Sequence, residues 1–303
     1  MDDTGLFEMA PLPGGHSGET FLAEAAGERT VVRLYVGRGA RRGPEAVAVD
    51  AAVLRLVHGL LPVADVLEAR RPDAVAGAPG LLVTSFLPGT RLDLLLPDLD
   101  DGARSTVGRR LGELVARLAC MPLPQRGLFA DGDLRVEPFP AGDLVGFVQQ
   151  ARRESALATW STAEVAGLVE VAEAAQVRLD AVTRTCLVHG DLNPKNLLVD
   201  PATCEVTGLL DWEFAHAGLP GTDLGNLLRF ERDEPFASAV LGAYAAVVPD
   251  AGPDLLDLAR AADLLALVDL AGQRGENPVA DRAHELLRAV ARGRDLHAVP
   301  SPG

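Results

Sequence analysis

The chain has 303 residues, and 48% of them are hydrophobic against 23% charged, which excludes a largely disordered protein and fits one large domain or two lobes. The formal net charge of −15 argues against a general nucleic-acid binder, because such a surface repels the phosphate backbone. Lys195 is the sole lysine and follows Pro194, so there is no Gly-Lys-Ser/Thr phosphate loop. Cys120, Cys186 and Cys204 are odd in number and form no CxxC pair, which points to a reducing compartment rather than a disulfide framework. The segment Met1-Asp2-Asp3-Thr4 does not read as a signal peptide, and apolar runs such as Ala243 to Val248 are too short to span a bilayer. The expectation is a cytoplasmic protein without a membrane role.

The first third reads as strands around one helix. Glu19 to Ala25 and Arg29 to Val36 are strand-like, with Gly27 as the turn between them. A Gly/Arg-rich loop, Gly37 to Gly43, precedes Pro44, which suits the first turn of a helix carrying Val47, Ala51, Leu54 and Val57 at helical spacing. Val63 to Ala69 and Gly80 to Phe86 are again strand-like, split by the loop Arg71 to Pro79, and Pro88-Gly89 closes the segment. Beyond it the chain turns helical. Val107, Leu111, Leu114, Val115 and Leu118 form one apolar stripe with Asp100 or Asp101 as N-cap, and Ala141 to Ser155 and Ser161 to Thr183 are two more helices. Ser161 with Glu164 fits a capping box. Short strands recur at Cys186 to Val188, Asn196 to Val199 and Val206 to Leu210. Gly221 to about Gly293 is helical with breaks near Pro235, Pro249, Pro253 and Pro278. The pattern divides the chain into a strand-rich region, residues 1–87, and a helical region, residues 88–303, and clefts at such joints are where ligands bind.

Two polar clusters sit among the short strands: His189-Gly190-Asp191-Leu192-Asn193-Pro194-Lys195-Asn196 and Leu209-Leu210-Asp211-Trp212-Glu213-Phe214. A loop and a neighbouring strand end can gather Asp191, Asn196 and Asp211 around one point. Such a set suits a Mg²⁺ held by hard oxygen atoms, with one carboxylate left to accept a proton.

These two clusters resemble the catalytic segment of the aminoglycoside phosphotransferase family, small-molecule kinases with a protein-kinase-like α+β fold of two lobes. The match to protein kinases proper is poorer, since Asp211 is followed by Trp212-Glu213 rather than Phe-Gly and no Ala-Pro-Glu follows. The resemblance runs from about residue 12 to about 290. It implies Asp191 as the catalytic base, and Asn196 and Asp211 as Mg²⁺ ligands. It implies His189 and Asp223, the latter within Gly221-Thr222-Asp223-Leu224-Gly225, as supports of the catalytic loop. By the same resemblance, Pro13 to Thr20 is the loop over the nucleotide phosphates, with Ser17 among the nucleotide-binding residues. Arg33 is the phosphate-pairing cation, and Asp50 is its acidic partner on the following helix, with Glu45 as the competitor. Ser85, Phe86 and Leu87 line the adenine edge through their backbones. Lys195, beside Asn196, is either a phosphate-steering group or an exposed loop residue.

The activity so implied is transfer of the γ-phosphate of ATP, with GTP an alternative, to a hydroxyl of a small molecule. An aminoglycoside or other antibiotic comes first, and a metabolic alcohol of the choline, homoserine or sugar type second. A catalytically silent nucleotide-binding module is the rival from another class. Asp257, Asp263, Asp269 and Glu276 are candidates for an acidic wall facing a cationic acceptor.

Overall fold

A computed structural model describes residues 8–12, 19–248 and 251–300. The loop from Pro13 to Gly18, with Ser17, lies outside the described residues. In chain order the elements are β1 (Glu8–Pro11), β2 (Glu19–Ala25), β3 (Glu28–Tyr35), α1 (Arg38–Arg41), α2 (Ala46–Val57), β4 (Val66–Arg70), β5 (Gly80–Ser85), β6 (Thr90–Arg91), α3 (Leu92–Leu95) and α4 (Asp101–Ala119). They continue with β7 (Gly127–Phe129), β8 (Val136–Pro138), α5 (Leu144–Glu154), α6 (Thr162–Asp180), β9 (Cys186–Val188), β10 (Leu197–Val199), β11 (Val206–Leu209) and β12 (His216–Gly218). The last four are α7 (Thr222–Leu227), α8 (Glu234–Val247), α9 (Leu255–Gly272) and α10 (Pro278–Gly293).

The N-terminal region is an antiparallel sheet in the order β1-β2-β3-β5-β4, backed by α2. Val47, Ala51, Leu54 and Val57 bury the inner face of α2, as their spacing predicts, and Val53 is buried beside them. The remainder is helical with two small sheets, β11-β10-β6 and β8-β7-β12-β9, so the fold is mixed α+β. The short pieces β1, β6, β7, β8 and β12 gave no sequence signal; with two to four residues each they are too brief for alternation to show. The expected loop Gly37 to Gly43 contains the one-turn α1.

Local chemistry sets the helix starts. The Asp100 and Asp143 carboxylates accept N–H groups of Ala103 (2.8 Å) and Gly146 (2.7 Å), and Ser161 and Glu164 complete the capping box. One apolar core runs from α2 and the sheet through α4, the short strands β9, β10 and β11 and α8, and a second joins α5, α6, α9 and α10. Helices α4 and α8 approach closely because Gly108 and Gly112 present no side chain: a Cβ at Gly108 would lie 2.7 Å from the Phe236 carbonyl, and one at Gly112 would overlap the Val240 carbonyl. The continuous core fixes the sheet against β9, β10 and β11. No helix among the described residues is long and apolar enough to cross a membrane.

Candidate active site

The loop between β9 and β10 is held from beneath by buried polar groups. Asp223, near the start of α7, turns one carboxylate oxygen to the His189 N–H (2.9 Å) and the other to the Gly190 N–H (3.0 Å). Burial pushes the Asp223 carboxyl up to about 6, and the two N–H groups act against that rise. His189 is fully buried. Its Nε2–H donates to the Leu210 carbonyl (2.8 Å), Nδ1 accepts the Asp191 N–H (3.3 Å), and the ring leans on Trp212 at 4.6 Å. Burial drives the imidazole down to about 4, so it stays neutral at physiological pH. Gly190 has a φ of 83°, and a Cβ there would strike the Phe214 carbonyl, so this position needs glycine.

On this support the Asp191 carboxylate is gripped at both oxygens. Asn193 Nδ2 donates to Oδ1 at 2.8 Å, and Asn196 Nδ2 donates to Oδ2 at 2.9 Å and to the Asp191 carbonyl at 2.8 Å. Burial raises the Asp191 pKa; the Asn193 bond opposes the rise and the Asp211 charge adds to it. Asp191 thus keeps a fixed orientation with enhanced basicity. Asn196 spends its amide N–H on Asp191, which leaves its side-chain oxygen for another partner. Its backbone carbonyl accepts the Leu210 N–H (2.8 Å), so Asn196 and Asp211 emerge at the same end of the β10–β11 pair. Asp211 has a left-handed backbone (φ 60°), an uncommon conformation for a residue with a side chain, where β11 gives way to the single turn Trp212–Phe214.

The opposing wall comes from β3. Arg33 forks across two carboxylates, Nη1 to Asp211 Oδ1 at 3.0 Å and Nη2 to Glu213 Oε2 at 2.6 Å. This corrects the expected Arg33–Asp50 pair. Asp50 is instead held by Arg42 through two bonds of 2.6 and 2.7 Å, and by the Tyr35 hydroxyl at 2.6 Å. Arg42 lies eight residues before Asp50 at the end of α1, so that pair closes a short loop, while two carboxylates together draw Arg33 away. Arg42 is therefore anchored within the Gly/Arg-rich stretch. Glu45, the other expected partner, pairs with Arg71 at 2.7 Å. Lys195 is exposed.

At the end of β5 the Ser85 N–H donates to the Asp65 carbonyl (2.9 Å) and Ser85 Oγ accepts the Asp65 N–H (2.8 Å). The Phe86 ring lies under the Arg29 guanidinium at 4.1 Å. The expected acidic wall is mostly committed elsewhere. Asp263 is 4% exposed and bound by Arg229 (2.5 and 2.8 Å) and Asn226 (2.8 Å). Asp257 is bound by His297, and Asp269 accepts from Gln273 (3.1 Å). Asn193, Glu213, Arg42 and Tyr35 shape the site without having been singled out from sequence. Only Glu213 carried a usable signal, an acid two residues beyond Asp211.

The sequence signature of the phosphotransferase enzyme family (APH) matches residues 8–259, most of the chain and both walls of this site. The chain belongs to the phosphotransferase enzyme family. Among curated relatives, an aminoglycoside 3'-phosphotransferase of Streptomyces fradiae is 28% identical over 222 residues, 70% of this chain and 78% of that protein. Acyl-CoA dehydrogenase family member 10 of Mus musculus is 24% identical over 223 residues, 73% of this chain; the chain spans only 20% of that longer protein. Of solved structures, the GDP and kanamycin complex of APH(2")-IIIa superposes with a TM-score of 0.66 at 18% identity, covering 97% of this chain and 89% of the other. That likeness is one of fold, the protein-kinase-like fold of the family.

Proposed function

We propose that this phosphotransferase moves the γ-phosphate of ATP to a hydroxyl of a small molecule, with residues 1–87 on the nucleotide side and residues 88–303 carrying the catalytic loop and the acceptor side. The observation that carries the reading is the Asp191 carboxylate clamped by Asn193 and Asn196, with Asp211 emerging at the end of the neighbouring strand pair. In this reading Asp191 orients the acceptor hydroxyl and takes its proton. Its raised pKa suits a base, while the two amide donors keep it ionised and aimed. Phosphoryl transfer passes through a loose transition state, so catalysis is mostly positioning and charge neutralisation.

The donor set fits Mg²⁺. Asp211 and Glu213 create a negative pocket strong enough to draw a guanidinium, and Asn196 adds a neutral oxygen. Magnesium ordinarily takes one or two carboxylates along with substrate phosphates. Asp211 and Asn196 would hold the ion, which would neutralise charge on the transferring group. Arg33, once the phosphates compete with Glu213 and Asp211, clamps them, and Asp50 acts indirectly by fixing Arg42 and Tyr35 beside it. Phe86 and Leu87 offer backbone groups to a nucleobase; the N–H of Ser85 is already spent on Asp65. Ser17 belongs to the phosphate-covering loop. His189 and Asp223 support the loop rather than touch substrate. The three free cysteines agree with a reducing, cytoplasmic setting.

The relatives' names place aminoglycosides on the acceptor panel. The commitment of Asp257 and Asp263 to other partners favours the second reading, a metabolic alcohol, over a polycation. Turnover of ATP and GTP with Mg²⁺ against aminoglycosides, other antibiotics and metabolic alcohols tests the proposal. Phosphorylated product from one class, lost in Asp191→Asn, is the expected result; no transfer to any hydroxyl supports the silent nucleotide-binding module instead.

A further inference from the structure

The turn after β11 sends three side chains in three directions. Trp212 goes down into the core, with its indole N–H on the Leu209 carbonyl (3.2 Å). Phe214 is exposed, and its carbonyl lies against Gly190, where a Cβ would strike it; the Ala215 N–H closes the turn on the Trp212 carbonyl (3.0 Å). Between these two supports Glu213 rises to β3 and accepts from Arg33 Nη2 at 2.6 Å.

The two carboxylates that share Arg33 are unequal. The Glu213 side chain is 7% exposed and the Asp211 side chain 32%, and the Asp211 bond is the longer at 3.0 Å. Burial opposes the Arg33 charge; of the two acids Asp211 exerts the larger pull on it, while Glu213 makes the shorter and better shielded bond. Arg33 is the one cation bonded to Glu213 among the described residues. Arg42 feels the Glu213 charge, but its side-chain bonds go to both oxygens of Asp50. A carboxylate shut away from water loses more when its cation leaves than one at an open cleft, where water or a metal ion takes the place. The acid on α2 is not available as a substitute, since Asp50 is committed to Arg42 and to the Tyr35 hydroxyl.

We infer that Glu213 is the positioning residue for Arg33, the permanent anchor of the phosphate-side cation, and that Asp211 is the partner Arg33 gives up. The inference rests on the phosphotransfer reading for the nucleotide side of the cleft. Glu213 keeps Nη2, and Nη1 turns from Asp211 to the phosphates, which leaves Asp211 for the metal. The turn Trp212–Phe214 carries Glu213 directly after Asp211, so the cation on β3 and the metal-side carboxylate keep one frame. The role expected of Asp50 thus falls to the strand-end turn, and α2 is tied through Arg42 instead.

Metal-free ATP binding, measured by calorimetry in EDTA at constant ionic strength, separates an anchor from a competing charge by its sign. Removing a competitor of the phosphates would tighten binding. Glu213→Gln should instead weaken it about 5–10-fold, and Glu213→Asp, which keeps the charge and loses a methylene of reach, should fall between that variant and wild type. With Arg33→Gln already in place, Glu213→Gln should bring no further loss, because its effect passes through Arg33. Asp50→Asn should lose less than Glu213→Gln. Mg²⁺ should still strengthen ATP binding in Glu213→Gln, with KM for ATP raised by a larger factor than kcat is lowered. Circular dichroism shows whether each variant is folded; if Glu213→Gln does not fold, Glu213→Asp carries the test, and wild-type affinity in it overturns the anchor. Unchanged or tighter ATP binding in Glu213→Gln overturns it, as does an equal loss in the Arg33→Gln background or a larger loss in Asp50→Asn. A Mg²⁺ enhancement lost in Glu213→Gln makes Glu213 a metal ligand and overturns it too. If wild type binds ATP with the expected effects yet phosphorylates no acceptor, the phosphotransfer reading fails and the anchor stands; if wild type binds no ATP, both fail.

Discussion

The loop between β9 and β10 and the β3–α2 wall facing it hold their polar groups by opposite means. In the loop, buried Asp223 and neutral His189 bond to backbone N–H and C=O groups, and Asp191 is fixed by two amides, with no cation bonded to it among the described residues. In the wall, the carboxylate side chains of Asp211 and Glu213 hold Arg33, and that of Asp50 holds Arg42. Bonds to backbone tie a side chain to the chain path itself. A guanidinium shared by two carboxylates can instead be exchanged for a ligand of the same charge, which is what a phosphate-binding wall requires. In the proposed function, this difference separates a rigid support for the base from a replaceable set of charges around the nucleotide.

The sharpest way to break the comparison is at the base. Asp191→Asn should lower turnover by at least ~10²-fold, the low end for a general base, with nucleotide affinity retained. Near-normal phosphorylation by this variant would remove Asp191 from the chemistry.

Next comes the neutral brace. His189 is held down to about 4, so it contributes fully above its unfolded value near 6.5, and the contribution fades as pH falls through 4. Asp223, pushed up to about 6, runs the other way: its contribution is complete below the ordinary Asp value and is lost as pH rises through 6. The two slopes oppose each other. In His189→Phe only the Asp223 slope remains, so the stability gap between wild type and variant should narrow by about 3 kcal/mol between pH 7 and 4, read from urea midpoints. Parallel curves would show that His189 titrates normally.

In the wall the effects are smaller. Asp50→Asn deprives Arg42 of its counter-ion and should cost about 2 kcal/mol in urea unfolding, while kcat changes little. A loss confined to kcat would make Asp50 part of the chemistry. Arg33→Lys can satisfy only one of Asp211 and Glu213, and should raise the nucleotide KM by roughly 3–10-fold, about 1 kcal/mol. An unchanged KM would show that charge alone matters at that position.

What could be read from sequence follows the same division. The helix α2, the capping box at Ser161 and the loop motif from His189 to Asn196 are written in residues close together in the chain, where periodicity and spacing carry the information. The partners of Arg33 and Asp50 were not legible. Arg33 reaches across 178 and 180 residues to Asp211 and Glu213, and Asp50 is taken by an arginine that follows a single helical turn hidden in a Gly/Arg-rich stretch. Several arginines were in reach by sequence, and only the packing of α1 and α2 against the sheet selects among them. Of the acidic residues of the C-terminal helices, Asp263 was illegible for the same reason, since it is taken by Arg229 and Asn226 from α7 and the turn after it.

The central claim is that Asp191 serves the acceptor while Asp211 serves the metal and nucleotide. It is tested most directly by titrating ATP into wild type, Asp191→Asn and Asp211→Ala with and without Mg²⁺. The account predicts that Mg²⁺ strengthens nucleotide binding equally in wild type and Asp191→Asn, and that this enhancement disappears in Asp211→Ala. A Mg²⁺ enhancement that survives in Asp211→Ala, or vanishes in Asp191→Asn, would contradict it.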